Sequence, residues 1–82
     1  MAEVTYYGAE WCIDCRRSKA LLTKLNVDFD EKNVELSAEL AFEAESIAGR
    51  KNIPVILFAD GTHLVEPSDS DLQNALQARG LV

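Results

Sequence analysis

Residues 4–15 read VTYYGAEWCIDC, and this stretch decides the fold of the chain. Residues 4–7 form a short β-rich run that Gly8 interrupts, and apolar residues then recur at helical spacing as far as Asn26. The pattern predicts a strand, a loop and a helix, with Cys12 and Cys15 at the start of the helix. A C-x-x-C pair between a strand and a helix is typical of redox proteins.

The next part of the chain predicts a second strand and a second helix. Residues 27–34 place apolar side chains among charged ones, which favours a strand. Ser37 can cap the N-terminus of a helix that stops at Gly49. Two strands joined through a helix in one sheet predict a right-handed parallel crossover.

The last part of the chain predicts a hairpin followed by a third helix. Val55–Phe58 is a continuous apolar run, typical of a strand covered on both faces. Asp60-Gly61 predicts a two-residue type I′ turn into a strand at 62–65, and Ser68 can cap a helix that ends before Gly80. Residues 1–82 therefore read β-α-β-α-β-β-α and predict a single α/β domain.

The composition of the chain limits its partners. Lysine and arginine number 8 against 14 aspartates and glutamates, and the formal net charge of -6 repels nucleic acid phosphates. No basic segment follows Met1, and the longest apolar run, 55–59, is far shorter than a membrane span. We expect a cytoplasmic monomer that binds neither nucleic acid nor membranes, since a domain of this length can fold alone.

The two cysteines suit redox chemistry better than a structural role. A bridge between Cys12 and Cys15 closes a loop worth only about 2 kcal/mol, against about 3 kcal/mol for a loop of roughly fifteen residues. A structural zinc site needs four ligands, and the only other soft candidate is the distant His63. The sequence therefore predicts a redox pair and no bound metal or cofactor.

The positions of the two cysteines predict different roles. Residues three apart at the start of a helix are close enough to form a disulfide. Cys12 lies at the predicted N-terminus, where free N–H groups and the helix dipole stabilise a thiolate, and Arg16 reinforces this effect. We expect Cys12 to attack a disulfide and Cys15, one turn deeper and more buried, to resolve the mixed disulfide.

Five short motifs are spread along the chain: Thr5-Tyr6-Tyr7, Trp11–Cys15, Asn52-Ile53-Pro54, Phe58–Gly61 and Glu66-Pro67-Ser68. Together they resemble the glutaredoxin-like group of the thioredoxin superfamily, and the last motif resembles the mycoredoxins in particular. The resemblance implies a thioredoxin fold with a four-stranded mixed sheet flanked by three helices. It also implies a cis peptide bond before Pro54, facing the cysteines, and the reduction of protein or low-molecular-weight disulfides.

Several residues around the cysteines are expected to bind the substrate. Trp11 can form an apolar platform beside the thiol or simply pack against the sheet, and Tyr7 has the same two interpretations. The resemblance implies that the backbone of Ile53 contacts the thiol ligand. The candidate substrate-binding residues are Trp11, Tyr7, Arg16, Ile53, Pro54, Ser68 and Asp69.

The departures from the glutaredoxin pattern concern the electron donor. Glutaredoxins typically carry Cys-Pro-Tyr-Cys, a lysine shortly before the first cysteine, and Thr-Val-Pro, where this chain has Ile13-Asp14, Glu10 and Asn52-Ile53. A negative Glu10 opposes the carboxylates of glutathione. We therefore expect mycothiol, more than glutathione, or a flavoprotein reductase to supply the electrons.

The sequence thus predicts a thiol-disulfide oxidoreductase of glutaredoxin or mycoredoxin type that reduces mixed disulfides. Its expected partners are disulfide-containing proteins and the co-substrate mycothiol or glutathione, regenerated by an NADPH-dependent reductase. The alternative enzyme is a thioredoxin-like electron donor reduced directly by thioredoxin reductase, which would need both cysteines. Two further alternatives are an iron-sulfur protein in which two copies each contribute Cys12, and a redox-inert interaction module.

Overall fold

Seven helices and strands make up the computed structural model, which describes residues 3–82. They are β1 Val4–Gly8, α1 Ile13–Lys24, β2 Phe29–Asn33, α2 Ala38–Ala48, β3 Val55–Phe58, β4 His63–Val65 and α3 Asp69–Ala78. This order confirms the predicted β-α-β-α-β-β-α arrangement. Met1 and Ala2, on which the expectation of no basic leader partly depends, lie outside the described residues. Of the helices within 3–82, none is long and apolar enough to cross a membrane.

The four strands form one mixed sheet in the order β2-β1-β3-β4. β1 and β2 are parallel, with Val4 opposite Phe29, and they are joined through α1 as predicted. β3 is antiparallel to both β1 and β4. The two central strands are largely buried, which accounts for the continuous apolar run of β3.

The sheet divides the core into two parts, because successive residues of a strand point to opposite faces. On the face that we call the Tyr6 face, α1 and α3 cover the sheet; its buried residues include Val4, Tyr6, Cys15, Leu22, Ile56, Leu72 and Leu76. On the opposite face, which we call the Tyr7 face, α2 packs through Ala44 against Tyr7 and Val55. The helix that carries the cysteines therefore lies on the Tyr6 face.

Serine side chains cap the N-termini of α2 and α3, and a glycine ends α2. The hydroxyl of Ser37 accepts the N–H of Leu40 at 3.4 Å, and the hydroxyl of Ser68 accepts the N–H of Asp71 at 3.1 Å. Gly49 ends α2 in the left-handed conformation (φ 76°), which glycine adopts without a steric penalty. These three predicted boundaries are confirmed.

The second strand is shorter than the predicted 27–34. The N–H of Val27 donates to the carbonyl of Leu22 at 3.0 Å, so this residue closes the end of α1 instead of pairing in the sheet. Asn26 between them has a positive φ of 61°, which turns the chain out of the helix.

The hairpin is present, but its predicted two-residue type I′ turn is wrong. The N–H of Gly61 donates to the carbonyl of Phe58 at 3.0 Å and the N–H of Phe58 donates to the carbonyl of Thr62 at 2.9 Å, so the loop has three residues, 59–61. Within this loop only Gly61 has a positive φ (90°), whereas a type I′ turn needs two such residues. The carboxylate of Asp60 accepts the N–H of Thr62 at 3.0 Å and holds the longer loop.

Candidate active site

Cys12 lies between β1 and α1 as the N-cap of the helix. Its backbone is extended (φ −86°, ψ 117°), and its sulfur accepts the N–H of Cys15 at 3.2 Å. Its own N–H donates to the carbonyl of Ala9 at 3.3 Å, which holds the preceding loop. N–H donors at a helix N-terminus favour negative charge on a sulfur. This is the placement expected for an attacking thiolate.

The two thiols differ in exposure. Cys12 is partly exposed, Cys15 is fully buried, and both are free cysteines. Burial, followed by the hydrogen bond with Cys12, raises the pKa of the Cys15 thiol to about 12. Cys15 therefore keeps its proton at neutral pH, while Cys12 is the sulfur that a substrate can reach.

The loop before β3 lies opposite Cys12. The peptide bond between Ile53 and Pro54 is cis, as the resemblance implies. The thiol of Cys12 is directed at the Ile53 carbonyl, with 3.9 Å between sulfur and oxygen. Pro54 is fully buried, and its carbonyl accepts the N–H of Glu66 at 2.9 Å. The fold therefore places backbone polar groups from a distant loop beside the thiol.

An open groove runs beside the Cys12 thiol, and we call it the thiol groove. Its lining consists of Trp11, Cys12, Ile13, Asp14, Lys51, Asn52, Ile53 and Glu66. The side chains of Trp11 and Ile13 are 67% and 77% exposed, so apolar surface borders the sulfur on the solvent side. A substrate disulfide can approach Cys12 along this groove.

A second and more apolar groove adjoins the thiol groove. The two share Trp11 and residues 51–53, and the second continues along α2 past Ala41 and the exposed Phe42. It has a volume of about 430 Å³, and Arg50 contributes a positive charge to its lining. A substrate at Cys12 therefore has an apolar surface with neighbouring cations within reach.

Four of the predicted site residues belong to the two segments that meet at the Cys12 thiol. Trp11 and Ile53 line the thiol groove, the N–H of Cys15 donates to the Cys12 sulfur, and the buried Pro54 follows Ile53. These residues come from two separate parts of the chain, which the packing of β3 against β1 brings together.

Ser68 and Asp69 lie where the start of α3 meets α1. Ser68 caps α3, and Asp69 lies 3.6 Å from Arg17 of α1. Arg17 also lies 3.3 Å from Asp14 of the thiol groove, so it links this junction to the groove. Arg17 was not among the predicted site residues, although its spacing from Asp14 is that of neighbours on a helix surface.

Arg16 and Glu10 lie outside the thiol groove. Arg16 is exposed and shares a surface depression with Glu10 and Lys19. The carboxylate of Glu10 is 3.7 Å from Lys19, which also binds Glu31 of β2 at 2.7 Å. Glu10 can repel a carboxylate of glutathione only if it faces the ligand, but Glu10 does not line the thiol groove.

Tyr7 lies on the face of the sheet opposite the thiols. Its side chain is 1% exposed, its hydroxyl donates to Glu43 of α2, and Lys32 lies 5.7 Å from the centre of its ring. Burial, followed by the bond to Glu43, raises its pKa, so the hydroxyl remains a donor. The structure therefore places Tyr7 in the core, away from the predicted binding site.

Tyr6 is a neighbour of the thiols that the sequence analysis did not single out. Its side chain is 2% exposed, and its hydroxyl donates to the carbonyl of Cys15 at 3.1 Å. Alternation along β1 indicates that Tyr6 and Tyr7 face opposite ways. Which of them faces α1 depends on how the helices pack.

Across 3–82, no group of three or more histidine, cysteine, aspartate and glutamate side chains is arranged to hold a metal ion.

Comparison with known proteins agrees with this arrangement. The glutaredoxin family model matches residues 4–64. Glutaredoxin 3 of Escherichia coli K12 is 38% identical over 80 residues, covering 98% of this chain and 92% of that protein. Mycoredoxin 1 of Corynebacterium glutamicum is 29% identical over 80 residues, covering 95% of this chain and 98% of that protein.

A solved structure is similar over nearly the whole chain. The crystal structure of a glutaredoxin from Archaeoglobus fulgidus overlaps with a TM-score of 0.84 and 26% sequence identity, covering 94% of this chain and 88% of that one. The overlap confirms the predicted thioredoxin fold, with its four-stranded mixed sheet and three helices.

Proposed function

Because the chain belongs to the glutaredoxin family of thiol-disulfide oxidoreductases, we propose that it reduces mixed disulfides between protein cysteines and a low-molecular-weight thiol, either glutathione or mycothiol. The observation that carries this proposal is the position of Cys12. Its sulfur caps α1, accepts the N–H of Cys15 at 3.2 Å, and opens onto a groove. This arrangement supports an attacking thiolate that an external disulfide can reach.

In the first step the Cys12 thiolate attacks the substrate's mixed disulfide at the sulfur that belongs to the low-molecular-weight thiol. A disulfide forms between Cys12 and that thiol, and the protein cysteine leaves as a thiolate that takes up a proton. In the second step either another molecule of the small thiol or Cys15 attacks this mixed disulfide. The first route leaves Cys12 reduced, and the second closes a bridge between Cys12 and Cys15.

Trp11, Ile53 and Pro54 form the proposed binding surface. The exposed ring of Trp11 supplies an apolar wall, and Pro54 supports the loop on which Ile53 presents its backbone at the thiol. Ser68 and Asp69 stay predicted binding residues at the α1–α3 junction. Arg16 and Tyr7 lie apart from the groove, so we assign them no part in this step.

The charges near the groove support a small thiol that carries carboxylates at least as well as a neutral one. Glu10 is paired with Lys19 outside the groove, whereas Arg50 and Lys51 lie at or next to it. Neither of these cations has a carboxylate partner within residues 3–82. We therefore retain glutathione beside mycothiol as a proposed co-substrate. The cytoplasmic location and the monomeric state stay predictions.

The test is NADPH oxidation with a small mixed disulfide, run in three parallel arms. The arms supply mycothiol with its reductase, glutathione with its reductase, and thioredoxin reductase alone. Turnover with one of the small thiols supports the proposal and identifies the co-substrate. Turnover with thioredoxin reductase alone would instead establish the thioredoxin-like alternative, and a brown protein after anaerobic purification would support the iron-sulfur alternative.

Two cysteine variants separate the roles within this assay. We expect Cys12→Ser to reduce turnover to the rate without protein, because the attacking sulfur is gone. We expect Cys15→Ala to retain turnover if the small thiol can resolve the mixed disulfide. Ser46→Ala, which removes an exposed hydroxyl of α2, is the matched control. Full activity in Cys12→Ser would contradict the proposed function.

A further inference from the structure

The hydroxyl of Tyr6 is buried against the helix turn that carries Cys15. It donates to the Cys15 carbonyl at 3.1 Å, and its side chain is 2% exposed. The ring is held at its side by Phe29 of β2, with ring centres 6.0 Å apart in an edge-to-face arrangement. The hydroxyl therefore has a fixed position under the resolving cysteine.

Gly8 provides the space that this position requires. Tyr6 and Gly8 are two apart in β1 and so point to the same face. A Cβ at position 8 would lie 2.2 Å from the Tyr6 hydroxyl oxygen and 2.4 Å from the ring carbon that bears it, which is closer than atoms can pack. Because Gly8 has no side chain, the hydroxyl of Tyr6 has room to reach α1.

The hydroxyl of Tyr6 affects the pKa of the neighbouring Cys15 thiol. Burial and the bond to Cys12 raise the pKa of the Cys15 thiol, and the Tyr6 hydroxyl, which donates to the Cys15 carbonyl in this structure, acts on that pKa in the opposite direction. Burial, followed by the charge on Cys15, raises the pKa of Tyr6 itself, so its hydroxyl keeps the proton that it donates. A protonated donor is therefore available to the sulfur at the moment that it must become negative.

We propose that Tyr6 is a positioning residue for the resolving thiol, whose buried hydroxyl holds the first turn of α1 through the Cys15 carbonyl and donates to the Cys15 sulfur as that sulfur attacks. The proposal rests on the proposed function, because it concerns the route in which Cys15 resolves the mixed disulfide.

The bonds and protons balance without a further reactant. The sulfur of Cys15 attacks that of Cys12, the bond from Cys12 to the bound thiol breaks, and a Cys12–Cys15 disulfide forms. The proton of Cys15 passes to the leaving thiolate. The hydroxyl of Tyr6 has one proton, which bonds to the carbonyl while Cys15 is protonated and to the sulfur while it is negative. Tyr6 itself is neither ionised nor oxidised.

The experiment follows the reaction of the reduced protein with an aromatic disulfide whose thiol is coloured. Attack by Cys12 releases the first coloured thiol, and closure by Cys15 releases the second, so one trace gives both rates. We expect Tyr6→Phe to slow the second phase roughly tenfold and to move the midpoint of its pH profile about one unit upward, because a hydrogen bond to a charged sulfur is lost. The first phase should keep its rate.

Three further variants make the experiment decisive. Thr23→Val is the matched control, because it removes another hydroxyl that bonds to a carbonyl of α1, that of Lys19 at 2.9 Å, and we expect both phases to be unchanged. Gly8→Ala, which displaces the Tyr6 hydroxyl by crowding, should reproduce the slow second phase. Cys15→Ala should show the first phase alone.

An unchanged second phase and pH midpoint in Tyr6→Phe would overturn the proposal. So would an equal slowing of both phases, since that indicates a general distortion of the site. The reagent is not a natural substrate, so the result is independent of which small thiol the protein uses. Failure of the three reductase arms with normal closure would contradict the proposed function and leave the role of Tyr6 intact.

Discussion

Tyr6 and Tyr7 are identical in chemistry and adjacent in sequence, yet they serve the two faces of the sheet differently. Tyr6 meets the backbone of Cys15 under α1, while Tyr7 bonds to Glu43 of α2 and has no contact with the thiol groove. The Tyr6 face combines a large apolar core with the two thiols, and the Tyr7 face is a smaller core whose Tyr7 hydroxyl bonds to Glu43. The role of a strand residue therefore depends on the helix that covers its side of the sheet.

The largest expected loss of stability follows from a substitution in the larger core, on the Tyr6 face. Leu72 of α3 is fully buried there, and we expect Leu72→Ala to lower the free energy of unfolding by about 3 kcal/mol through lost contacts and a new cavity. Urea denaturation measures the change. Leu36→Ala is the control, because that side chain is 82% exposed and its removal should cost less than about 0.5 kcal/mol. Equal losses in the two variants would contradict the assignment of the core.

The buried thiol on the Tyr6 face predicts a loss of stability at alkaline pH. Since burial raises the pKa of Cys15 in the folded state, its contribution is complete below the pKa of an unfolded thiol and declines as pH rises towards about 12. The Cys15 thiol alone should therefore lower the free energy of unfolding of the reduced protein by up to about 1.4 kcal/mol per pH unit in this range. Cys15→Ala should show a smaller fall, and urea denaturation at several pH values measures both. A fall of the same size in Cys15→Ala would contradict the predicted contribution of the buried thiol.

The hydrogen bond between Tyr7 and Glu43 predicts a smaller contribution to the free energy of unfolding, and this contribution is lost at acid instead of alkaline pH. The hydrogen bond from Tyr7, followed by the charge of Lys32, lowers the pKa of Glu43. Its contribution is therefore present above the pKa of an unfolded glutamate and is lost as pH falls through the folded value. We expect Glu43→Gln to cost at most about 1 kcal/mol at neutral pH, since the carboxylate is half exposed, and to weaken the acid-induced loss of stability.

The matched control for this weaker effect is Glu35→Gln. Glu35 is exposed and has no tyrosine or lysine partner among residues 3–82, so its acid dependence should match that of the unmodified chain. If both variants behave alike in urea denaturation between neutral and acid pH, the hydrogen bond between Tyr7 and Glu43 does not make the predicted contribution.

Much of the fold follows from local patterns in the sequence. Ser37, Gly49 and Ser68 act as caps through bonds to backbone a few residues away, so their roles can be predicted without tertiary information. The apolar run Val55–Phe58 likewise indicates a buried central strand. The turn after it was mispredicted, because Asp60-Gly61 fits both two-residue and three-residue loops and the side chain of Asp60 favours the longer one.

The candidate site was predictable only for residues that are close together in the sequence. The spacing of Cys12 and Cys15 indicates one helical turn whatever the rest of the chain does, and it locates the two thiols of the candidate site. The role of Glu10 depends on Lys19 and β2, which the sequence does not place beside it. For the same reason the sequence left the position of Tyr7 open between packing and the thiol, and it did not predict that Arg16 shares a depression with Glu10 and Lys19, because the direction of a side chain depends on what covers it.

By itself, then, the sequence determined the order of the elements, the caps and the pair of thiols, since these depend on hydrogen bonds and periodicities within a few residues. Only the tertiary structure decided that the carbonyl of Ile53, 41 residues from Cys12, lies beside the sulfur, and that Tyr6 rather than Tyr7 meets Cys15. The physical reason is that alternation along a strand is symmetric between its two faces. The packing of α1 and α3 on one face and α2 on the other breaks that symmetry.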